Sequence, residues 1–209
     1  DYFQAVQQYD GACGGFIWEW CDHAIYMGTN AVGKKMYGYG GDHGEFPHDD
    51  NFCMDGLVYP DRRVHTGLKE FKNVHRPARI VSLDQEKKEI VLHNYMDFVN
   101  LKDYVTVRYE VICDGLIKET GVVDSQELLD IPAHQERAVP VSFTVPESGK
   151  CFLKVTYIQK TAGQILPAGF ELGFEEAELK NADGRNQRVK ELLVDGNVHS
   201  GIEICEDDR

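Results

Sequence analysis

Strict alternation of apolar and polar residues runs through the chain from Ala78 onward and limits what it can fold into. The clearest runs span residues 105–111, 139–145, 151–157 and 170–174. In each run the apolar side chains occupy every second position, which gives a strand one apolar and one polar face. Shorter runs of the same kind occupy residues 79–83, 89–94, 116–122 and 127–131. Short strands at this spacing predict a mainly β fold, an immunoglobulin-like antiparallel β-sandwich.

The residues before Ala78 follow a different pattern. Apolar side chains at helical spacing predict short helices over residues 2–9 and 66–75. Between them we expect a buried strand at residues 16–20, then a glycine-rich, acidic loop with a small hairpin around residues 34–39. After the last strand run, a further hairpin signal lies within residues 191–205, and a two-stranded piece buries little surface alone.

Composition excludes several classes of partner. The formal net charge of −13 would repel the phosphates of nucleic acids and an anionic membrane surface. No apolar run approaches the length that spans a bilayer, and 42% apolar residues suffice for a packed core. We therefore expect neither nucleic acid nor a membrane as a partner.

The six cysteines are scattered and include no C-x-x-C pair, which disfavours a zinc ribbon or a redox motif. The favoured interpretation is buried free thiols in a reducing compartment, so we expect a cytoplasmic protein. Cys113 and Cys151 could face each other across the sandwich, although their spacing does not establish it.

Three spaced motifs precede the alternating region. They are Gly-Gly-Phe-Ile-Trp-Glu-Trp at residues 14–20, Tyr-Gly-Gly-Asp at 39–42 and Phe-Cys-Met-Asp-Gly-Leu-Val at 52–58. In this order they resemble the segment that closes the catalytic barrel of family 2 glycoside hydrolases, specifically the large β-galactosidases. The resemblance is close over the first third of the chain and weaker over the rest.

The resemblance implies a division into three regions. Residues 1–76 would be the incomplete C-terminal end of a (β/α)8 catalytic barrel, including its last β/α unit. Residues 77–180 would form the immunoglobulin-like sandwich. Residues 181–209 would be a linker and the truncated start of the next β-domain.

The resemblance also implies an activity for a longer parent protein, the hydrolysis of terminal β-D-galactosides with retention of configuration. The two catalytic glutamates of such an enzyme would lie upstream of Asp1, so we expect no catalytic residue in this chain and no activity from it alone. Trp18 matches the apolar platform beneath the galactosyl ring, and Asp49 matches a position beside the sugar-binding loop. Trp20, by contrast, is expected to fill the barrel core.

A cation site is implied at the third motif. In the family, the backbone carbonyl of the residue matching Phe52 and the side chain matching Asp55 coordinate a sodium ion that touches the sugar's 6-hydroxyl. The family residue at the second position is asparagine, and the extra negative charge of Asp55 favours tighter binding or a divalent ion such as magnesium. A further ligand would come from another part of the parent, so weak occupancy is expected in this chain. The alternative is a turn acid before Gly56.

Other interpretations stay open. Residues 42–50 hold two histidines and several acids, but without fixed metal-ligand spacing a solvated rim loop is favoured over a metal site. Glu19 and Asp22 are interpreted as structural acids rather than a catalytic pair. The chain could also be a non-catalytic carbohydrate-binding module or a structural β-sandwich module, and an exposed Trp18 indole would favour a sugar-binding role.

A barrel strand without its neighbours leaves unpaired backbone groups and a large apolar surface. We therefore expect residues 1–75 to be poorly packed, rearranged or completed by a second copy of the chain, which predicts a homo-oligomer.

Overall fold

The computed structural model describes residues 2–123 and 125–181 of the 209-residue chain. The chain divides into two compact units, Asp1–Arg76 and Pro77–Arg209. The hairpin predicted within residues 191–205 lies outside the described residues. Among the helices of the described ranges, none is both long enough and apolar enough to cross a membrane.

In the described part of the first unit, two short helices flank one hairpin. Helix α1 spans Tyr2–Gln8 and helix α2 spans Thr66–Val74, close to the predicted bounds. Strands β1 (Ile25–Thr29) and β2 (Lys35–Gly38) pair antiparallel. The Asn30 side chain accepts hydrogen bonds from two backbone N–H groups of the connecting turn, as asparagine commonly does. The hairpin therefore begins earlier in the chain than predicted.

The strand predicted at residues 16–20 is not formed, and residues 12–20 have no regular secondary structure. Among the described residues, the backbone hydrogen bonds that join this segment to residues 53–58 begin at Glu19 and end at His23, and one isolated parallel bridge, Cys21 to Val58, is assigned there. A strand requires neighbours along its length, and parallel pairing is slightly weaker per residue than antiparallel pairing. Within the described residues of this unit, no sheet extends beside the segment.

Little of the first unit is buried. Among its described apolar residues only Cys53 and Val58 are buried, and neither helix contains a buried residue. Large apolar side chains are instead exposed at Phe16, Ile17, Trp18, Trp20, Ile25, Phe46 and Phe52. The described part of the unit is held by hydrogen bonds and small contacts rather than by a core.

The second unit consists of two antiparallel sheets. One contains β3 (Ala78–Asp84), β4 (Glu89–Asn94) and β7 (Glu136–Pro140), with β4 in the centre. The other has the order β6–β5–β8–β9, and its strands are β5 (Val105–Cys113), β6 (Leu116–Val123), β8 (Cys151–Gln159) and β9 (Glu171–Leu179). A short helix, α3 (Leu101–Tyr104), precedes β5. The predicted mainly β fold with antiparallel sheets is confirmed.

One contiguous core fills the space between the two sheets. Every second residue of β5 is buried, from Val105 to Cys113, as the alternation predicts. Strand β8 contributes Leu153 and Tyr157, both fully buried, and Ile90 and Leu92 come from the opposite sheet. The core therefore stabilises this unit by the burial of apolar surface.

Three sequence-based details of the second unit were wrong. Residues 127–131 form a turn rather than a strand, although Leu129 and Ile131 are still buried. The run 139–145 leaves its sheet after Pro140, which has no N–H to donate, and yet Phe143 remains in the core.

The third concerns β9, where the alternation placed Phe170 and Phe174 on the buried face. Both are instead 37% exposed, and Glu175 accepts hydrogen bonds from the Ile80 N–H and the Tyr157 hydroxyl. A bulge in the pairing with β8 at Leu172 moves the register by one residue, which exchanges the two faces of the strand and turns Phe174 outward, whereas Phe170 lies before β9 begins.

Candidate functional site

The candidate site in the first unit combines the segment that carries the two tryptophans with the loop at residues 52–58. Trp18 is 76% exposed and Trp20 is 62% exposed, so both indoles are open to solvent. The exposure of Trp20 contradicts its predicted place in a barrel core. The described residues cover only part of its surface.

Backbone hydrogen bonds fasten the two segments together. The Glu19 N–H donates to the Asp55 carbonyl at 3.1 Å, and the Leu57 N–H donates to the Glu19 carbonyl at 2.9 Å. Further along, the His23 N–H donates to the Cys53 carbonyl, also at 2.9 Å. The loop that carries Phe52 and Asp55 is therefore held directly beside the segment that follows Trp18.

Asp22 stabilises this arrangement from inside. Its side chain is fully buried, and one carboxylate oxygen accepts the Gly56 N–H at 3.0 Å. The other oxygen lies 2.7 Å from Nε2 of His65, whose ring stacks on Tyr59 with a centroid distance of 3.8 Å. A Cβ on Gly56 would lie 2.2 Å from the Asp22 nitrogen, so this close backbone approach requires glycine.

Glu19, the other acid of this segment, also contacts a histidine. Its Oε1 lies 2.5 Å from Nε2 of His23. Glu19 and Asp22 thus each lie beside a histidine ring, and Glu19 Oε1 is buried without a hydrogen bond among the described residues. Sequence reasoning missed the Asp22–His65–Tyr59 cluster, because a separation of 43 residues between the carboxyl group and the imidazole ring leaves no local pattern.

The predicted substrate and cation residues occupy one short stretch of the loop. Asp49 and Phe52 are exposed, and a turn joins them through the hydrogen bond from the Phe52 N–H to the Asp49 carbonyl at 2.9 Å. Asp55 is half-buried, and its Oδ1 atom is buried without a hydrogen-bond partner among the described residues. A buried carboxylate oxygen of this kind is costly unless something compensates its charge.

The acidic loop at residues 42–50 uses its side chains to hold its own turns. Asp42 accepts the Tyr39 N–H, and Glu45 accepts the N–H groups of Gly41 and His43. These hydrogen bonds, that of Gly41 first, lower the pKa of Glu45. In the described part of the chain, no group of three or more His, Cys, Asp or Glu side chains is placed to hold a metal ion.

A cleft of about 960 Å³ lies in the first unit. Its lining includes Tyr37, Tyr39, Tyr59, Met54 and Arg63. The four predicted site residues do not line this cleft, although their neighbours in the loop do. Tyr37 and Tyr39 lie two apart in the sequence, a spacing that places two side chains on one face of an extended segment. The sequence analysis did not use this spacing.

Comparison with known protein families identifies the family of this chain. Residues 1–80 match the family model described as glycosyl hydrolases family 2, TIM barrel domain. Residues 90–180 match the model described as beta-galactosidase, domain 4. The chain belongs to glycoside hydrolase family 2. The two matches follow one another along the chain without overlap, which agrees with the sequence-based resemblance.

Family 2 relatives include several proteins named beta-galactosidase. The one from Actinobacillus pleuropneumoniae is 44% identical over 179 residues, which cover 86% of this chain and 17% of that protein. The one from Staphylococcus xylosus is 50% identical over 110 residues, covering 53% of this chain and 11% of that protein. The one from Leuconostoc mesenteroides is 26% identical over 181 residues, covering 86% and 17% respectively. The chain thus spans about a sixth or less of the length of these relatives.

Proposed function

We propose that the chain is part of a retaining β-galactosidase and supplies substrate-binding and cation-site residues to it. The observation that carries this proposal is the backbone pairing of Glu19 with Asp55 and Leu57, which holds the Trp18 segment beside the Phe52–Asp55 loop. An exposed indole and, in the loop held beside it, the exposed Asp49 carboxylate suit a galactoside, because the C–H face of the sugar stacks on the ring and its hydroxyls donate hydrogen bonds.

Two of the four residues contact the sugar in this proposal. The Trp18 indole stacks against the apolar face of the galactosyl ring, and Asp49 accepts a hydrogen bond from a sugar hydroxyl.

Retaining hydrolysis needs two carboxyl groups about 5 Å apart, one acting as acid/base and one as nucleophile. Since Glu19 and Asp22 contact histidines, we assign those two groups to segments of the parent protein outside this chain.

The first test is enzymatic and uses a nitrophenyl β-D-galactoside. The purified 209-residue chain should show no turnover. In the full-length parent, Trp18→Ala should lower kcat/KM about 10- to 100-fold, because burying an aromatic face contributes roughly 1.5–3 kcal/mol. Trp18→Phe keeps an apolar ring and should lose less.

Turnover by the chain alone, or an unchanged kcat/KM in the Trp18→Ala parent, would contradict the assignment. Titration calorimetry of the isolated chain with galactose tests the alternative, a carbohydrate-binding module, which the exposed Trp18 also favours. Measurable heat would support that alternative. Matching unfolding curves for the two Trp18 variants serve as the control for folding.

The proposed cation, sodium or magnesium, fits the chemistry of Asp55. Its buried Oδ1 lacks a hydrogen-bond partner in the described residues, and a hard carboxylate oxygen suits either ion. The Phe52 backbone carbonyl is the second ligand that we assign. When bound, the ion would orient the sugar's 6-hydroxyl. Two ligands do not complete a coordination shell, so weak binding by the chain alone is expected.

Asp55→Ala in the full-length parent should therefore raise the sodium concentration needed for half-maximal activity at least about 10-fold, since it removes a charged ligand. Asp55→Asn keeps an oxygen ligand but loses the negative charge, so its sodium requirement should lie between those of the alanine variant and the unsubstituted protein. The line width of the ²³Na resonance, measured with the same variants, reports ion binding independently of activity. Equal sodium dependence in all three proteins would show that Asp55 is only a turn residue.

The exposed apolar surface of the first unit also supports a homo-oligomer, in which a second copy covers the side chains around Phe16 and Trp20. Sedimentation velocity at increasing concentration should show association, and a monomer at every concentration would contradict it.

A further inference from the structure

A pair of cysteines lies inside the second unit, away from the site described above. Cys113 ends β5 and Cys151 begins β8, and the two residues are directly opposite in the antiparallel register. They are therefore neighbours within one sheet rather than residues that face each other across the sandwich. Both are free thiols, 4% and 1% exposed, and their Sγ atoms are 2.6 Å apart.

The backbone around the pair has the geometry that a disulfide needs. The Asp114 N–H donates to the Lys150 carbonyl at 3.0 Å, so the next pair along the ladder is a hydrogen-bonded one. Because such pairs alternate, Cys113 and Cys151 form a non-hydrogen-bonded pair, whose Cα atoms lie about 4.5 Å apart with the side chains closer. Disulfides have Cα separations of about 4.4–6.8 Å, so the bond requires little movement of either strand.

We propose that Cys113 and Cys151 are a modification site, a dithiol that a peroxide oxidises to a disulfide linking β5 to β8. The Cys113 sulfur attacks one oxygen of hydrogen peroxide, the O–O bond breaks, and a sulfenic acid and one water form. The Cys151 sulfur then displaces the hydroxyl from the Cys113 sulfur as a second water. The two sulfurs together lose two electrons, peroxide gains two, and both thiol protons leave in the waters.

The covering turn assigns the order of these steps, because Gly149 lies directly over the Cys113 sulfur, which the oxidant therefore meets first. Burial, together with the neighbouring Cys113, raises the pKa of Cys151 to about 11, so Cys151 is a thiol near neutral pH. The Asn181 side-chain amide donates to the Cys151 Sγ at 3.3 Å and keeps it in place.

Access to the pair is through the turn that covers it. Residues 147–150 form an irregular and largely exposed turn, and Cys113 donates to the Ser148 carbonyl within it at 3.2 Å. A Cβ on Gly149 would lie 2.7 Å from the Cys113 Sγ, so the turn rests directly on the thiol. A small neutral oxidant reaches the sulfurs when this turn opens locally, without unfolding of the sheets.

The test is non-reducing peptide mapping of the folded 209-residue chain after treatment with hydrogen peroxide. Trypsin should release residues 109–118 joined to residues 151–154, with a mass 2 Da below the sum of the two peptides. Oxidation should also raise the Tm of the second unit by about 10 °C, because the link closes a long loop of the unfolded chain. Cys113→Val and Cys151→Val should each abolish this rise.

Cys13→Ser is the matched control, because Cys13 is exposed and its removal should leave the joined peptides unchanged. The mapping needs no variant, so a substitution that fails to fold does not prevent the test. The proposal is overturned if Cys113 and Cys151 both remain alkylatable after peroxide has consumed the Cys13 thiol. Joining of Cys113 to any cysteine other than Cys151 overturns it as well.

Discussion

Replacing Phe143 with alanine is expected to lower the free energy of unfolding of the second unit by about 3–5 kcal/mol. The Phe143 side chain is 1% exposed and belongs to the core cluster between the two sheets. Alanine would remove most of its apolar surface and leave a cavity that close-packed neighbours fill only in part. Because domains are stable by only about 5–15 kcal/mol, this loss is a large fraction of the total.

Phe98→Ala is the matched control, because Phe98 lies in the same unit and is 96% exposed. It should change the free energy of unfolding by no more than about 0.5 kcal/mol. Urea unfolding of both variants, followed by far-ultraviolet circular dichroism, measures the difference. If the two variants have the same midpoint, Phe143 does not belong to a packed core.

The period-two pattern predicted the second unit well because its strands bury one face each. In β5 the buried residues from Val105 to Cys113 are those that the alternation selects, and Leu153 and Tyr157 of β8 follow the same rule. The burial of apolar surface decides both the sequence pattern and the orientation of these side chains. Here local sequence and tertiary packing agree.

The period-two pattern gave wrong predictions where tertiary contacts override the local alternation of apolar residues. Leu129 and Ile131 are buried from a turn, because a core accepts an apolar side chain from any backbone conformation. Phe174 lies on the outer face of β9 with Lys154 over its ring, at 4.8 Å, because a bulge moves the register. No periodicity in the sequence reveals a bulge made with a distant strand.

For the candidate site, the sequence motifs selected the segments but did not show how they are held together. Trp18 and Asp55 were selected by resemblance alone, and their roles stay proposals. The contacts that join their segments come from Asp22 and from backbone groups far apart in the chain. A buried carboxylate that satisfies distant partners cannot be told from a surface acid in the sequence.

Asp22→Ala should therefore have the largest effect in the first unit. It removes the acceptor of the Gly56 N–H and the partner of His65, and leaves both polar groups without that partner. Hydrogen bonds to a charged group contribute about 1.5–3 kcal/mol each. The unit buries only two apolar side chains among its described residues, so little else opposes local unfolding. We expect the pairing of residues 19–22 with 55–58 to open.

Amide hydrogen exchange measures this opening directly. In Asp22→Ala, the N–H groups of Leu57 and Val58 should exchange about 10- to 100-fold faster, as a loss of roughly 1.4–2.8 kcal/mol in opening free energy implies. Asp22→Asn keeps an oxygen for Gly56 and offers its amide to the His65 ring, so it should stay near the unsubstituted rate. Exchange in β5 should not change in either variant. Equal rates at Leu57 in all three proteins would mean that the backbone bonds, not the carboxylate, hold the loop that carries Asp55.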